Sequence, residues 1–325
     1  MKAAVYERYG SPDVITVRDV AMPEPKDDEL LIRVQATTVS RTDCGMLHGR
    51  PAIFVRPGAG LLRPKRKILG MDFAGIVEAG GSRVVSFKPG DRVFGLSPNQ
   101  FGAHAEYLCV PETGPIARMP DDIDFDQAVV CEGAWYASTY IDAFGLKGGE
   151  RILIYGASGA IGIAAVQLAK FHGAEVTAVV ATRHLALMES LGADRVIDYT
   201  HEDFTAIGET YNFVLDAVGK TTFFRCRKLL KPGGTFSATD LGPLWQNIAL
   251  SGWSSITRGS RVVFPLPKAS ESAVTFLRDR MAAGEFRSVI DRRYSLDEIV
   301  DAYRYVETQQ KTGIVVISDP SASHE

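Results

Sequence analysis

The sequence predicts an α/β protein of two domains, a partly open β-barrel and a doubly wound parallel sheet. Three observations carry this. Up to about residue 123 short alternating strands are closely punctuated by Gly and Pro. From about 124 to 264 strands alternate with helices of ordinary length. At the end a lone strand, Gly313-Ile-Val-Val-Ile-Ser318, has no local partner and so is expected to rejoin the first domain. The expected domains are therefore 1–123 with 265–325, and 124–264.

In the first domain Met1-Lys-Ala-Ala-Val-Tyr6 alternates like a strand, followed by Leu30–Ala36, Ala74–Ala79, Asp91–Phe94 and Ala105–Val110. The second domain has expected strands at 151–155, 175–181, 195–198, 212–216 and 234–239, with Lys231-Pro-Gly-Gly234 read as a helix stop. Helical stretches are expected at 270–284 and 295–308. Leu47–Leu62 and Pro243–Arg261 read as loops that shape a substrate pocket, and Ser318–Glu325 as a disordered tail.

With 46% apolar and 23% charged residues over 325 positions, this is the composition of a folded protein with a sizeable core. Net charge −3 gives no general attraction to nucleic acid or membrane, so neither is expected as a partner. The basic run Arg63-Pro-Lys-Arg-Lys67 is short and reads as a solvated loop. No apolar run approaches membrane-spanning length. Cys44, Cys109, Cys131 and Cys226 have no paired spacing and read as reduced thiols, which places the protein in the cytoplasm.

The most informative segment is Arg151-Ile-Leu-Ile-Tyr-Gly-Ala-Ser-Gly-Ala-Ile-Gly162. An apolar strand enters a glycine turn and leaves it as an apolar helix, the setting a dinucleotide-binding turn requires. Gly156 permits the sharp turn, Gly159 lets backbone approach a pyrophosphate, and Gly162 lets helix and strand pack closely. Ser158, Gly159, Ala160 and Ile161 then offer backbone N–H groups to the diphosphate, with the helix dipole behind them.

The next strand ends in Ala181-Thr182-Arg183-His184, where an NAD enzyme usually places an acid for the ribose 2′-hydroxyl. A hydroxyl beside a guanidinium suits a 2′-phosphate instead, so Thr182 and Arg183 point to NADP(H). The competing role for Arg183 is a solvated residue opening the next helix.

Further motifs are Met1-Lys-Ala-Ala4, Arg41-Thr-Asp43, Gly70-Met-Asp-Phe-Ala-Gly75, Phe87-Lys-Pro-Gly-Asp-Arg-Val93, Ser190-Leu-Gly-Ala-Asp194, Val196-Ile-Asp-Tyr199 and Asp216-Ala-Val-Gly219. With the glycine turn, they make nearly the whole chain resemble the medium-chain dehydrogenase/reductase superfamily, within it the zinc-independent quinone oxidoreductase-like branch. The resemblance implies a GroES-like catalytic domain, a Rossmann-type NADP(H) domain, hydride transfer to an electron-poor acceptor and a homodimer. It also implies cofactor contacts from Tyr199, Val218, Thr239 and Lys311.

Zinc-dependent relatives carry Cys, His and Cys where this chain has Ser40, Met71 and Glu132. Neutral Ser and Met are poor ligands for Zn²⁺, and one carboxylate does not hold it tightly, so no metal is expected. Zinc-free relatives often have Asn at Ser40, so the usual carboxamide donor is missing too. The candidates for polarising and protonating the acceptor are Ser40, Thr42 and Tyr136, with Glu132 orienting Tyr136 or a water. Each also has a structural alternative: loop hydrogen bonding for Ser40 and Thr42, packing for Tyr136, a helix-dipole partner for Glu132. Asp43 reads as structural.

The favoured activity is NADPH-dependent reduction of a quinone, enone or activated carbonyl. The alternatives are an NADP-linked alcohol/aldehyde oxidoreductase or enoyl-thioester reductase, and a non-enzymatic NADPH-binding protein of crystallin-like or sensory type.

Overall fold

The computed structural model describes residues 1–254, 259–267 and 270–318. In chain order the strands are β1 (Lys2–Tyr6), β2 (Ile15–Asp19), β3 (Glu29–Thr38), β4 (Asp72–Gly80), β5 (Arg92–Leu96), β6 (Tyr107–Pro111), β7 (Ile116–Arg118), β8 (Arg151–Tyr155), β9 (Glu175–Val180), β10 (Arg195–Asp198), β11 (Tyr211–Asp216), β12 (Leu230–Ala238), β13 (Arg261–Val263), β14 (Ile290–Tyr294) and β15 (Ile314–Ser318). The helices are α1 (Arg41–His48), α2 (Ala52–Ala59), α3 (Phe125–Ala128), α4 (Cys131–Phe144), α5 (Ala160–Phe171), α6 (Leu185–Ser190), α7 (Phe223–Cys226), α8 (Gln246–Ser254), α9 (Glu271–Ala282) and α10 (Ile299–Glu307).

The chain forms two compact units, Met1–Glu132 with Ala269–Glu325, and Gly133–Lys268. The first division thus falls at 132/133, not at the expected 123/124. The reason is packing: α3 lies on β3 and β4, Asp126 pairs with Arg293 at 2.5 Å, and the Glu132 N–H donates to Asp72. All of these partners belong to the first unit.

The first unit is a seven-stranded sheet, β14-β15-β3-β4-β5-β7, with β6 also paired to β3 and a separate β1-β2 ladder. β3 is its centre. One edge carries β4; the other is shared by β6, along Glu29–Arg33, and β15, along Ala36–Thr38. Leu30, Ile32, Phe73, Val77, Val93 and Ile116 build the core beneath it. Burying each such side chain contributes about 1.5–3 kcal/mol.

The second unit is a six-stranded sheet in the order β10-β9-β8-β11-β12-β13, every pairing parallel. That is the doubly wound order, with the strand sequence reversing between β8 and β11. Leu153, Val179, Ile197, Val214, Phe236 and Val262 give one core residue from each strand. Such near-continuous burial is what a sheet covered on both faces demands.

Several loop expectations give way to helix. Leu47–Leu62 contains the end of α1 and all of α2, and Pro243–Arg261 contains α8; the rest of that second stretch, 255–258, lies outside the described residues. Lys231–Gly234 is not simply a helix stop. It is a bulge within β12, where the pairing jumps from Tyr211↔Leu230 to Phe213↔Thr235. Ser318 closes β15, and the remainder of the expected tail lies outside the described residues.

Candidate active site

In the second unit the glycine turn joins β8 to α5 at the point where the strand order reverses. Gly156 has φ +74°, and a Cβ there would meet Val218 Cγ2 at 2.5 Å. A Cβ on Gly162 would lie 2.5 Å from the Gly156 carbonyl and 2.6 Å from Ala157 Cα, so only glycine lets α5 start this close to the turn. Gly159 differs. Its Cβ would meet no protein atom closer than 3.7 Å, so the protein's own packing does not require glycine there.

Gly159 is also the N-cap of α5 and supplies no side-chain cap. The first-turn N–H groups of Ala160, Ile161 and Gly162 have no acceptor within the helix. Ser158 stands immediately before the cap. The donor set and the space beside Gly159 fit a dinucleotide diphosphate.

At the end of β9 the expected phosphate pocket is more occupied than its sequence suggests. Thr182 and Arg183 are both exposed. The Thr182 hydroxyl donates to Asp198 Oδ2 at 2.6 Å, and Arg183 Nε donates to His184 Nε2 at 2.9 Å. Hydrogen bonds from Thr182 and Thr200 hold the Asp198 carboxyl well below the usual carboxylate range. An anion thus stands beside Thr182, one strand over from where an NAD enzyme usually keeps its acid. Sequence reasoning missed it because pairing of β9 with β10, not spacing, brings it there.

The remaining cofactor candidates of this unit line the same strand ends. Tyr199 is exposed, its ring 6.1 Å from that of Tyr155. The Val218 N–H donates to Asp216 Oδ1 at 3.1 Å, and the Thr239 N–H donates to the Asp216 carbonyl at 3.0 Å. Asp216 is buried and takes the Gly219 and Thr221 N–H groups as well, fixing the turn after β11. Tyr136 belongs to this unit, one turn beyond Glu132 along α4, with its ring 5.3 Å from that of Trp135.

In the first unit the polar candidates converge on a buried cluster. Ser40 is the N-cap of α1 and forms a capping box with Asp43. Asp43 Oδ2 accepts both the Ser40 N–H at 2.9 Å and the Ser40 hydroxyl at 2.7 Å. Its Oδ1 takes the Gly70 N–H at 3.0 Å. Asp43 therefore ties α1 to the chain entering β4, the structural role expected of it. Ser40, expected as a free donor, is engaged by this cap. Burial pushes Asp43 up to about 6, against the pull of these hydrogen bonds.

Asp72 is buried at the start of β4. It accepts the Glu132 N–H at 2.8 Å and the Thr38 hydroxyl at 3.0 Å. Behind it His104 donates Nε2–H to the Thr38 carbonyl at 2.9 Å, since a carbonyl only accepts. Its Nδ1 then accepts from the Tyr303 hydroxyl at 3.3 Å. Burial lowers His104 to about 4, so the ring is neutral at neutral pH.

Glu132 completes the cluster. It is only 8% exposed, and the Thr42 and Ser40 hydroxyls near its carboxyl favour the charged form. Burial, then the charge of Asp43, pushes it up to about 7. The half-buried Lys311, for which the sequence implied a cofactor contact, lies in this unit near Glu132 and Asp291 and donates to the Gly313 carbonyl. Burial lowers its ammonium pKa. The structure thus brings Ser40, Thr42, Glu132 and Lys311 together. A carboxyl titrating near neutrality beside two hydroxyls is equipped to give or take a proton.

Of the positions compared with zinc ligands, Ser40 is a helix cap, Met71 is a buried apolar side chain and Glu132 belongs to this carboxyl–hydroxyl cluster. Among the described residues no group of three or more His, Cys, Asp or Glu is arranged to hold a metal ion.

The chain matches the alcohol dehydrogenase GroES-like domain family over residues 26–121 and the zinc-binding dehydrogenase family over residues 191–317. It is 33% identical to the 2-methylene-furan-3-one reductase of Solanum lycopersicum, across 98% of this chain and 79% of that protein. It belongs to the medium-chain dehydrogenase/reductase superfamily. Its relatives there include quinone oxidoreductase-like proteins, and it is an oxidoreductase of this superfamily. The NADPH-dependent alkenal/one oxidoreductase of Arabidopsis thaliana is 31% identical over 98% of this chain and 79% of its own length. The quinone oxidoreductase of Coxiella burnetii superimposes with a TM-score of 0.87, at 27% identity, covering 98% of this chain and 99% of that one. Among medium-chain enzymes the fold seen here, a GroES-like unit and a Rossmann-like parallel sheet, is the shared architecture. Among the described residues no helix is long and apolar enough to cross a membrane.

Proposed function

We propose that this medium-chain oxidoreductase is an NADPH-dependent, zinc-independent reductase of electron-poor acceptors, namely quinones, enones or activated carbonyls. The observation that carries the reading is the buried Glu132 carboxyl, poised near neutrality beside the Thr42 and Ser40 hydroxyls, its backbone N–H held by Asp72. It offers proton chemistry from side chains that make a poor zinc site. The reductases among the relatives support the same class of acceptor.

The first-turn amides of α5 and the guanidinium of Arg183 are the groups that would hold the cofactor, which when bound supplies the hydride. The chain's own part is to polarise and protonate. The Thr42 hydroxyl donates toward the oxygen on which charge develops, and Glu132 replenishes the proton it passes on, while Ser40 holds the loop through its cap with Asp43. Lys311 keeps a positive charge near Glu132 and stabilises the carboxylate left once its proton has gone, which solvent then reprotonates. Tyr136 is the second candidate donor, through its hydroxyl.

The Asp198 carboxylate beside Thr182 favours a second reading of cofactor choice, in which NADH also serves. Four free cysteines support a reducing, cytoplasmic setting, and the edge strand β13 is the surface through which a homodimer would form.

The deciding experiment is oxidation of NADPH, and of NADH in parallel, by a panel of quinones, enones, aldehydes and enoyl thioesters after exhaustive chelation. Turnover that survives chelation and favours NADPH is expected, with quinones or enones the best acceptors. Tight NADPH binding without turnover on any acceptor would leave the binding-protein alternative in its place.

A further inference from the structure

We propose that the protrusion Pro51–Lys67 of the first unit docks on an anionic lipid surface. Residues 50–70 contain six cations, Arg50, Arg56, Arg63, Lys65, Arg66 and Lys67, and no Asp or Glu. Within this run three aliphatic side chains stand in solvent: Ile53 at 62%, Leu61 at 69% and Leu62 at 84% exposure. A loop that is merely solvated has no use for consecutive exposed leucines. Apolar tips rimmed by cations are the composition of a surface that meets the boundary between lipid headgroups and acyl chains.

The exposure is built into the backbone. The Tyr9 hydroxyl donates to the Gly60 carbonyl at 2.6 Å, and the Lys65 N–H donates to the Ala59 carbonyl at 2.7 Å. Gly60 has φ +122°, and a Cβ there would lie 2.0 Å from the Arg63 carbonyl. Pro64 is buried behind the tip. Leu61 and Leu62 are therefore held outward from a tight turn.

The cations divide into two groups. Arg56 lies over the Tyr9 ring at 5.0 Å, Arg66 over the Phe101 ring at 5.9 Å, and Lys67 shares Glu7 with Arg18. Arg50, Arg63 and Lys65 are exposed and have no side-chain partner among the described residues. Glu7, the carboxylate that pairs with this run, is already matched by two cations. The patch is thus locally positive on a chain of net charge −3, so the attraction is confined to this face. A nucleic acid would be met by stacking aromatics instead of leucines, and an acidic peptide would gain nothing from Leu61 and Leu62. This inference rests on the surface alone and stands whichever acceptor the enzyme reduces.

The test is co-sedimentation of the intact protein with vesicles of phosphatidylcholine alone and of phosphatidylcholine mixed with phosphatidylglycerol. Binding is expected on the anionic vesicles only, weakening as salt is raised. Each surface cation contributes about a fivefold gain in partitioning near such a membrane, so Arg63→Ser with Lys65→Ser should lower it about 25-fold. Leu61→Ser with Leu62→Ser should also lower it while keeping the salt dependence. All four side chains are exposed, and an unchanged melting temperature confirms intact folding. Failure of the wild-type protein to bind anionic vesicles would overturn the proposal. So would leucine variants that bind as well as wild type, which would mean a generic anion contact. A fall in solution mass on replacing the leucines, with no vesicle binding, would instead assign the face to a second copy of the chain.

Discussion

Asp72 accepts the backbone N–H of Glu132 at 2.8 Å, so one buried carboxyl fixes the start of the helix that presents another. Burial and the nearby Glu132 raise Asp72 well above the ordinary carboxylate range. Two acids this close do not both ionise easily. A protic environment is thus assembled from the loop after β3, the start of β4 and the first turn of α4, without a metal ligand set.

The first prediction concerns pH. Glu132 must be protonated to deliver a proton, so turnover should be full below about pH 7 and decline as pH rises through it. Glu132→Gln should slow turnover by about 10²–10⁴-fold and remove that alkaline limb, leaving NADPH affinity unchanged. The same raised pKa makes the folded state lose stability as pH rises from the unfolded value toward 7, a slope that the Gln variant should lessen while Asp43 and Asp72 keep their share. A kcat profile and denaturant melts across pH read both; an alkaline limb that survives in the variant would assign it to another group.

Gly159 and Gly162 should separate ligand binding from folding. Gly162→Ala drives a methyl into the backbone of the turn and should cost about 1–3 kcal/mol of stability. Gly159→Ala meets nothing closer than 3.7 Å, so its melting temperature should match wild type. Its NADPH dissociation constant should nonetheless rise about tenfold or more, equivalent to one lost charge-assisted contact. Isothermal titration beside thermal melts makes the comparison, and unaltered affinity in Gly159→Ala would place the diphosphate elsewhere.

Cofactor preference should turn on Arg183 and Asp198 in opposite directions. Loss of a charge-assisted hydrogen bond of about 1.5–3 kcal/mol predicts that Arg183→Ala weakens NADPH by about 10–100-fold and spares NADH. Asp198→Asn removes the anion beside Thr182 and should raise preference for NADPH. The ratio of kcat/KM for the two cofactors reports both changes.

Asp43→Ala should be a folding variant. It leaves the N–H groups of Ser40 and Gly70 without their acceptor and breaks the capping box of α1, a loss of about 2–4 kcal/mol. Its urea midpoint should fall accordingly, while the second unit keeps its dinucleotide affinity.

Much of this was legible in the chain. The strand, turn and helix at Arg151–Phe171 were, because local spacing alone determines them. So were the candidacy of Glu132 and the tethering role of Asp43. What escaped was set by pairing between distant segments. Asp198 reaches Thr182 because β10 lies beside β9, and Asp72 reaches Glu132 across a separation of 60 residues. Helices α2 and α8 were read as loops because Pro57 and glycines such as Gly58 and Gly252 mask their periodicity. The nearness of Lys311 to Glu132 was not legible either, because it depends on the last strand, β15, lying beside β3.

That placement of β15 has a consequence for synthesis. Until Ile314–Ser318 emerges from the ribosome, the Ala36–Thr38 segment of β3 has a bare edge, and Thr38 is the residue that hydrogen-bonds Asp72. The nucleotide-binding unit, encoded as one uninterrupted stretch, is free to fold while this edge waits. The carboxyl–hydroxyl cluster is therefore among the last parts of the molecule to be completed, after the unit that carries the glycine turn.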